Sequence, residues 1–314
     1  MDLRQLRYFV TVAEELHFGR AAERLSMTQP PLSQQIRALE DELGVTLFHR
    51  TQRSVALTAV GARWLGEVRR VLAEANALPA LAQRLARGEV GSLSLSFVST
   101  ADYGILPALL RHFRDARPDV QLLLREATSD VQIEALLAGD VDAGVVIAHH
   151  AGSVPGELEY RPLVRERLVL AVPASRAAQW GAAPGQPIAL ADAAAEPLII
   201  FPRRSAPALY DIITGYHAAH GGRPEDPGAA TRIGQEAIQM QTIVSLVSAE
   251  MGVALVPASL CNLQRTGVVY LELAAPSPII ETGLVWRRDA ASPVLPWFVA
   301  SAEAVAKLQE RNQT

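Results

Sequence analysis

The stretch FGRAAERLSMTQPPLSQQIRALEDEL, residues 18–43, decides the fold of the N-terminal part of the chain. Its second half repeats aliphatic residues at intervals of three and four, which places them on one narrow stripe of an α-helix. The stripe consists of Leu32, Ile36, Leu39 and Leu43. A stripe of this kind is a buried face, so the opposite side of the predicted helix points to solvent.

A shorter helix is predicted in front of this one. Residues 18–25 carry small apolar residues on one side, and residues 26–28 interrupt the helical period. Thr28 can cap the second helix, and Pro30 and Pro31 fit into its first turn. Two helices joined by a tight turn predict a helix-turn-helix. The alternative is a surface corner between two helices of any helical protein.

Two short β-type runs follow directly and favour the first interpretation. They lie in residues 45–56, VTLFHRTQRSVA, around a polar tip at residues 50–53. A hairpin after a helix-turn-helix is a winged arrangement, and the two arginines of the tip would lie near phosphates or a minor groove of double-stranded DNA.

The solvent face of the second helix carries residue types that recognise base edges. Gln and Arg side chains can each make two hydrogen bonds to a purine in the major groove. The residues expected to contact or adjoin bases are Gln29, Pro30, Pro31, Ser33, Gln34 and Arg37. Phosphates, which position the protein without specifying a sequence, are expected to contact Thr28, Arg50 and Arg53.

Residues 3–61 resemble the LysR-type transcriptional regulators. The run Gln29-Pro30-Pro31-Leu32-Ser33, followed by Leu39-Glu40, Leu47-Phe48 and Leu57-Thr58, is similar to that family's signature. The resemblance covers essentially the whole chain, and within the family the chain looks most like regulators of aromatic-compound degradation that respond to benzoate or muconate. It implies an α+β multi-domain protein with an N-terminal winged helix-turn-helix, a long linker helix and a C-terminal two-lobed α/β effector domain similar to periplasmic binding proteins.

The expected domain boundaries follow from this resemblance and from the alternation of strand and helix patterns after residue 91, which predicts a parallel sheet covered by helices. The three parts are the DNA-binding domain at 1–58, the linker helix at 59–87 and the effector-binding domain at 88–314. Within the last, lobe I is expected at about 92–165 and 268–306, and lobe II at about 166–267.

The linker helix has apolar residues at alternating intervals of four and three, which is the pattern of a coiled-coil seam. The alternative is a helix that packs on its own domain, and Pro79 predicts a kink or an end to the first part of the helix. The seam consists of Leu57, Gly61, Trp64, Val68, Val71, Ala75, Leu78, Ala82 and Leu85. The family resemblance implies a homodimer through this helix, assembly into a homotetramer on an interrupted inverted repeat, and RNA polymerase as a further partner.

A small-molecule site is expected where three loops follow strands, at residues 99–102, 128–130 and 202–205. Ligands bind outside the C-terminal ends of parallel strands, where helix N-termini offer N–H groups to an anion. Two hydroxyl-bearing helix starts opposite two arginines would bind a carboxylate, with ordinary N-capping as the alternative for the first two loops. The expected effector contacts are Ser99, Thr100, Thr128, Ser129, Ile147, Pro202, Arg203 and Arg204.

Ile147 departs from the family pattern, because the benzoate- and muconate-responsive members carry a basic residue at the matching position. Arg203 or Arg204 would then supply the charge, or the ligand would be less acidic.

The distribution of charge agrees with a DNA-binding domain beside a domain that does not bind DNA. Residues 1–87 contain 12 arginines and 9 acidic residues, a net charge of +3, and the remaining 17 basic and 24 acidic residues give −7. Cys261 is the single cysteine, which excludes a disulfide framework and a cysteine-based metal site. Without a secretory signal or an apolar span, the chain is expected to be cytoplasmic and to make no membrane contact.

Catalysis is not expected, because the sequence contains no nucleophile elbow, phosphate-binding glycine loop or dinucleotide fingerprint. His149 and His150 are adjacent and lack a third ligand at metal spacing, so neither a metal nor a cofactor is expected. The chain is therefore expected to be a transcriptional regulator that responds to a carboxylate or aromatic acid bound between the two lobes. A cytoplasmic small-molecule-binding protein without gene regulation is the alternative, but it would leave residues 1–87 without a role.

Overall fold

The computed structural model describes residues 1–51, 54–148, 154–182, 185–222 and 231–313. They form two compact units, an N-terminal unit of residues 1–84 and a C-terminal unit of residues 85–314.

The N-terminal unit contains three short helices, a two-stranded hairpin and most of one long helix. In chain order these are α1 (Leu3–Glu15), α2 (Phe18–Arg24), α3 (Gln29–Leu43), β1 (Phe48–Arg50), β2 (Val55–Leu57) and α4 (Ala59–Ala86). The strands β1 and β2 are antiparallel. The predicted helix-turn-helix and hairpin are therefore confirmed as local structure.

An apolar core holds these elements together. Leu32, Ile36 and Leu39 of α3 are fully buried, which confirms the predicted stripe. Aromatic rings pack beside them, since the ring centroid of Phe9 lies 5.4 Å from that of Phe48 and 4.8 Å from that of Trp64. Each of these side chains removes a large apolar area from water, so the inner face of α3 is fixed by packing.

The helix α4 continues past Pro79 to Ala86, so of the two expected effects of this proline the end of the helix is wrong, and the kink stays a prediction. The predicted seam also divides into two parts. Val68 is buried in the core of its own unit, together with Leu72, whereas Leu78 is 60% exposed. The first half of the helix packs on its own domain, as the alternative interpretation had it, and the second half leaves its apolar face open.

The strands of the C-terminal unit are β3 (Gly91–Phe97), β4 (Val120–Glu126), β5 (Ala143–Ala148), β6 (Leu158–Pro173), β7 (Leu198–Ile200), β8 (Ile233–Glu236), β9 (Ala254–Pro257), β10 (Val268–Leu271) and β11 (Ile279–Arg287). Among the described residues, seven of these strands form one sheet with the order β10-β6-β11-β5-β3-β4, in which β9 also pairs with β6. The strands β7 and β8 form a separate parallel pair.

Helices cover this sheet. They are α5 (Ser99–Asp102), α6 (Leu106–Ala116), α7 (Ser129–Ala138), α8 (Ala174–Gln179), α9 (Pro207–His220), α10 (Met240–Ser248) and α11 (Leu295–Gln313). Short 3₁₀ segments occupy Leu190–Ala193 and Ala258–Leu263. β3 is parallel to both β4 and β5, which confirms the predicted alternation of strands and helices at the start of this unit.

Two main apolar cores define lobe I and lobe II, and the long strands β6 and β11 pass through both. On β6, Leu163 packs in the core of lobe I and Leu168 in that of lobe II. The expected boundary is wrong in one respect, because β10 pairs with the last four residues of β6 and Leu271 packs in the core of lobe II. The 16-residue strand β6 runs from one lobe into the other and pairs with strands in both.

The first residues of the C-terminal unit are anchored to the start of α11. Trp297 donates its indole N–H to the carbonyl of Arg87 at 3.0 Å. Gly88 has a φ of +65°, and a Cβ atom at this position would lie 2.2 Å from the carbonyl oxygen of Pro293. A glycine is therefore required here both by the backbone conformation and by the close approach of another segment.

Gly88→Ala is expected to destabilise the protein by about 2–4 kcal/mol, from the strain of a positive φ and the clash with Pro293. Gly181→Ala is the matched control, because Gly181 has the same φ of +65° and no described atom within 4 Å of the added methyl group. Urea unfolding of the full chain measures both variants. Equal losses of unfolding free energy in the two variants would contradict the importance of the contact with Pro293.

Candidate DNA-binding surface and effector cleft

The outer face of α3 has the properties of a base-contacting surface. Gln29, Gln34 and Arg37 are exposed, and none of their side chains has a hydrogen-bond partner among the described residues. Pro30 and Pro31 are exposed in the first turn of the same helix. The donors and acceptors of this face are available to another molecule, while the opposite face of the helix is buried.

Ser33 and Thr28 flank this surface. Ser33 is half-buried, and Thr28 is the N-cap residue of α3. The predicted position of the cap is confirmed, but the Thr28 hydroxyl makes no capping hydrogen bond and so can contact a phosphate.

The carboxylate of Glu40 connects α3 to the hairpin. Its Oε1 accepts hydrogen bonds from the backbone N–H groups of Leu47 at 2.8 Å and Phe48 at 3.1 Å. Its Oε2 pairs with the guanidinium of Arg50, which also lies 5.1 Å from the centroid of the Phe18 ring.

This geometry gives Arg50 a role that the sequence did not predict. Its side chain is 23% exposed and pairs with Glu40, so part of its guanidinium is engaged within the N-terminal unit. The expected phosphate contact stays a prediction. Arg50 fixes the hairpin to α3. Arg53, the other arginine of the tip, lies outside the described residues.

A cleft of about 180 Å³ in the C-terminal unit lies between residues of lobe I and lobe II. This volume is smaller than that of a site for a drug-sized ligand, so the cleft fits only a small molecule. Lobe I contributes Val98, Ser99, Thr100, Glu126, Ala127, Thr128, Ser129 and Ile147. Lobe II contributes Phe201, Ser205, Ala206, Leu209, Ile238, Gln239 and Met240.

The expected hydroxyl-bearing residues of lobe I all line this cleft. Thr100 is 3% exposed, and its Oγ1 has no hydrogen-bond partner among the described residues. Ser129 Oγ accepts from the backbone N–H of Ile147 at 3.2 Å. The N-cap of α5 is Val98, and Thr128 caps α7 without a side-chain hydrogen bond, so ordinary capping does not account for these hydroxyls.

The expected pair of arginines is wrong as a wall of this cleft. Pro202, Arg203 and Arg204 are not among the lining residues. Arg203 is turned toward α9, where its Nε and Nη2 each lie 2.8 Å from a carboxylate oxygen of Asp211. This bidentate pair holds the guanidinium, and the next residue of the loop that reaches the cleft is Ser205.

Two polar lining residues outside the three predicted loops were missed by the sequence analysis. Glu126 ends β4 in lobe I, Gln239 is the N-cap of α10 in lobe II, and Gln239 Nε2 lies 3.4 Å from Glu126 Oε1. Their positions at a strand end and a helix start were the available signal. Glu126 also affects its surroundings, since burial and the charges of Asp102 and Glu126 raise the pKa of Tyr103.

The described residues give little support for metal binding or for a membrane-spanning segment. Among these residues there is no group of three or more His, Cys, Asp or Glu side chains placed to hold a metal ion. His149 and His150 lie outside the described residues. No helix in the described part of the chain is long and apolar enough to cross a membrane.

A helix-turn-helix unit with an open amide and guanidinium face, joined in one chain to a two-lobed unit with a small-molecule cleft, defines a ligand-responsive DNA-binding protein. The chain belongs to the LysR family of transcriptional regulators. Residues 3–62 match the bacterial regulatory helix-turn-helix proteins of the lysR family, and residues 86–307 match the LysR substrate binding domain. The resemblance found in the sequence is confirmed.

Named relatives are similar over nearly the whole chain. The transcriptional regulator IlvR of Caulobacter vibrioides is 56% identical over 94% of this chain and 95% of its own length. The regulator AlsR of Bacillus subtilis is 39% identical over 95% of this chain and 94% of its own length.

Solved structures agree with this assignment. Full-length CbnR in complex with its target DNA has a TM-score of 0.74 and 30% identity, covering 98% of this chain and 100% of CbnR. Full-length BenM has a TM-score of 0.58 and 29% identity, covering 99% of this chain and 98% of BenM.

Glu40→Ala is expected to lower the free energy of unfolding by about 2–4 kcal/mol, because it leaves Arg50 and two backbone N–H groups without their acceptor. The matched control is Glu67→Ala, which removes an exposed ion pair with Arg70 and is expected to cost less than about 0.5 kcal/mol. Chemical denaturation followed by circular dichroism compares the two. A loss at Glu40 no larger than at Glu67 would contradict the connecting role of this carboxylate.

Proposed function

We propose that this chain binds an interrupted inverted repeat in double-stranded DNA as an oligomer and regulates transcription in response to a small molecule in the cleft. The observation that carries the proposal is the exposed polar face of α3, which has no hydrogen-bond partner among the described residues, on a helix whose inner face is fully buried. The chain acts without catalysis, in the cytoplasm where its DNA lies.

In this proposal the residues of α3 contact bases and the flanking residues contact the backbone. Gln34 and Arg37 offer bidentate hydrogen bonds to purines, beside Gln29, Pro30, Pro31 and Ser33. Thr28 and Arg53 contact phosphates, and Arg50 positions the hairpin.

The open face of α4 supports pairing of two copies of the chain. Val71, Leu78 and Leu85 are exposed by 41%, 60% and 43% and recur every seven residues. Apolar residues at this interval pack against the same residues of a second helix, with Ala75 and Ala82 between them. A dimer presents two copies of α3 to two half-sites of the DNA. Two dimers form the tetramer that the family resemblance implies.

The cleft supports control by an effector. The unpartnered hydroxyl of Thr100 and the lining hydroxyls of Ser99, Thr128 and Ser129 offer hydrogen bonds to a small molecule. A ligand changes the activity of such a protein only through different affinities for the arrangements that the protein can adopt. We propose that binding favours an arrangement of the dimers in which the DNA is bent differently.

Arg37→Ala is expected to reduce discrimination at particular base pairs by about 1–3 kcal/mol, because it removes a bidentate contact. Arg70→Ala removes the same charge from α4 and is expected to leave discrimination unchanged. Fluorescence anisotropy at constant salt, with duplexes from a random-sequence selection and their single-base variants, measures both. Unchanged base preferences in Arg37→Ala would contradict the proposed surface.

Thr100→Val is expected to reduce ligand-induced thermal stabilisation by about 1–3 kcal/mol at a fixed ligand concentration, because the ligand loses a buried hydrogen-bond partner. A ligand at 100 times its dissociation constant adds about 2.7 kcal/mol to the stability of the native protein. Thr214→Val is the control, since the Thr214 hydroxyl donates to the carbonyl of Tyr210 at 2.8 Å and Thr214 does not line the cleft. Stabilisation of the same size in Thr100→Val and in the unmodified protein would place the ligand elsewhere.

A further inference from the structure

The charge of the cleft differs from that of a site for simple organic acids. Among its described lining residues there is one carboxylate, Glu126, and no arginine, lysine or histidine. A ligand that carries only carboxylate groups would therefore meet a negative side chain and no cationic one on these walls.

We propose that the effector is an amino acid zwitterion with an apolar side chain, whose ammonium group pairs with Glu126. This inference rests on the proposed function, in which the cleft binds the effector. It assigns a different part of the cleft to each of the three parts of the ligand.

The ligand carboxylate is held by hydrogen-bond donors and helix dipoles. The helices α7, α9 and α10, of 10, 14 and 9 residues, all begin at the cleft, and their N-cap residues Thr128, Ala206 and Gln239 line it. The first backbone N–H groups of a helix lack partners within the helix and carry partial positive charge, which favours an anion. The buried, unpartnered Thr100 hydroxyl is a further donor at the same site.

The ligand ammonium is recognised by Glu126. This residue is exposed at the end of β4, and its described hydrogen bond with Gln239 Nε2 is long, at 3.4 Å. An ammonium group is a stronger partner for a carboxylate than a neutral amide is, so it can replace this contact. Because Glu126 and Gln239 belong to different lobes, the ammonium would bind where both lobes meet.

The side chain of the ligand lies on the apolar part of the cleft. This part includes the side chains of Ile147, Phe201, Leu209, Ile238 and Met240. Ile147 contributes here to an apolar wall instead of supplying a charge. An aliphatic or aromatic side chain gains burial against this wall, whereas a charged one would lose its hydration.

The proposal is tested by isothermal titration of the full chain with matched sets of probes. The first set is L-leucine, 4-methylpentanoate, which lacks the ammonium, and 3-methylbutylamine, which lacks the carboxylate. The second set is L-phenylalanine with its two corresponding analogues, and benzoate and muconate are added as plain acids. We expect one of the two amino acids to bind at least tenfold more tightly than both of its analogues.

Two variants separate the parts of the site. Glu126→Gln is expected to weaken binding of the amino acid at least tenfold without weakening the plain acids, and Thr100→Val to weaken every ligand of the cleft. Glu272→Gln, at an exposed residue outside the cleft, is the charge-matched control. It is expected to change the affinity for neither the amino acid nor the plain acids.

The possible failures are distinguishable. Plain acids that bind as tightly as the amino acids, and that lose affinity in Thr100→Val but not in Glu126→Gln, would overturn the zwitterion and leave the effector cleft standing. Amino acid binding that Thr100→Val does not change would overturn both the inference and the proposed site. If no probe binds, the inference is wrong for apolar amino acids, and base discrimination in Arg37→Ala still tests the DNA-binding proposal separately.

Discussion

The carboxylate of Glu40 is the constraint on which the DNA-binding surface depends. By accepting the N–H groups of Leu47 and Phe48 and pairing with Arg50, it fixes the start of the hairpin to the end of α3. Base-specific contacts need the helix backbone to be held within a fraction of an ångström, because long side chains add their own freedom. The contacts that make α3 rigid therefore lie behind the surface that would meet DNA.

The cleft depends in a similar way on strand ends and helix starts. Its hydroxyls follow β3 and β4, and helices from both lobes begin along its walls. Continuous strands join the lobes, since β6 and β11 contribute to both cores. Each of these strands belongs to both lobes. The side chains of Glu126 and Gln239 bridge the opening between the lobes. A ligand that engages both residues would contact both lobes at once.

Features that depend on local patterns could be predicted from the sequence. Features that depend on partners distant in the chain could not. The stripe of α3 follows from spacing within one helix, and the hydroxyls at residues 99, 100, 128 and 129 follow from their position after predicted strands. The ion pairs of Arg50 with Glu40 and of Arg203 with Asp211 were not predicted, because these partners meet each guanidinium only in the folded chain. The lobe boundary near residue 268 was misplaced because strand pairing with β6 has no local signal.

The most direct test of the account compares the affinity of the tightest cleft ligand for the free protein and for the protein bound to its selected DNA. Thermodynamic linkage requires any effect of the ligand on DNA affinity to appear, by the same factor, as an effect of DNA on ligand affinity. If the cleft controls DNA binding, the two dissociation constants differ at least about fivefold, a typical coupling between two sites. Identical constants in the two titrations would contradict the claim that the cleft controls DNA binding.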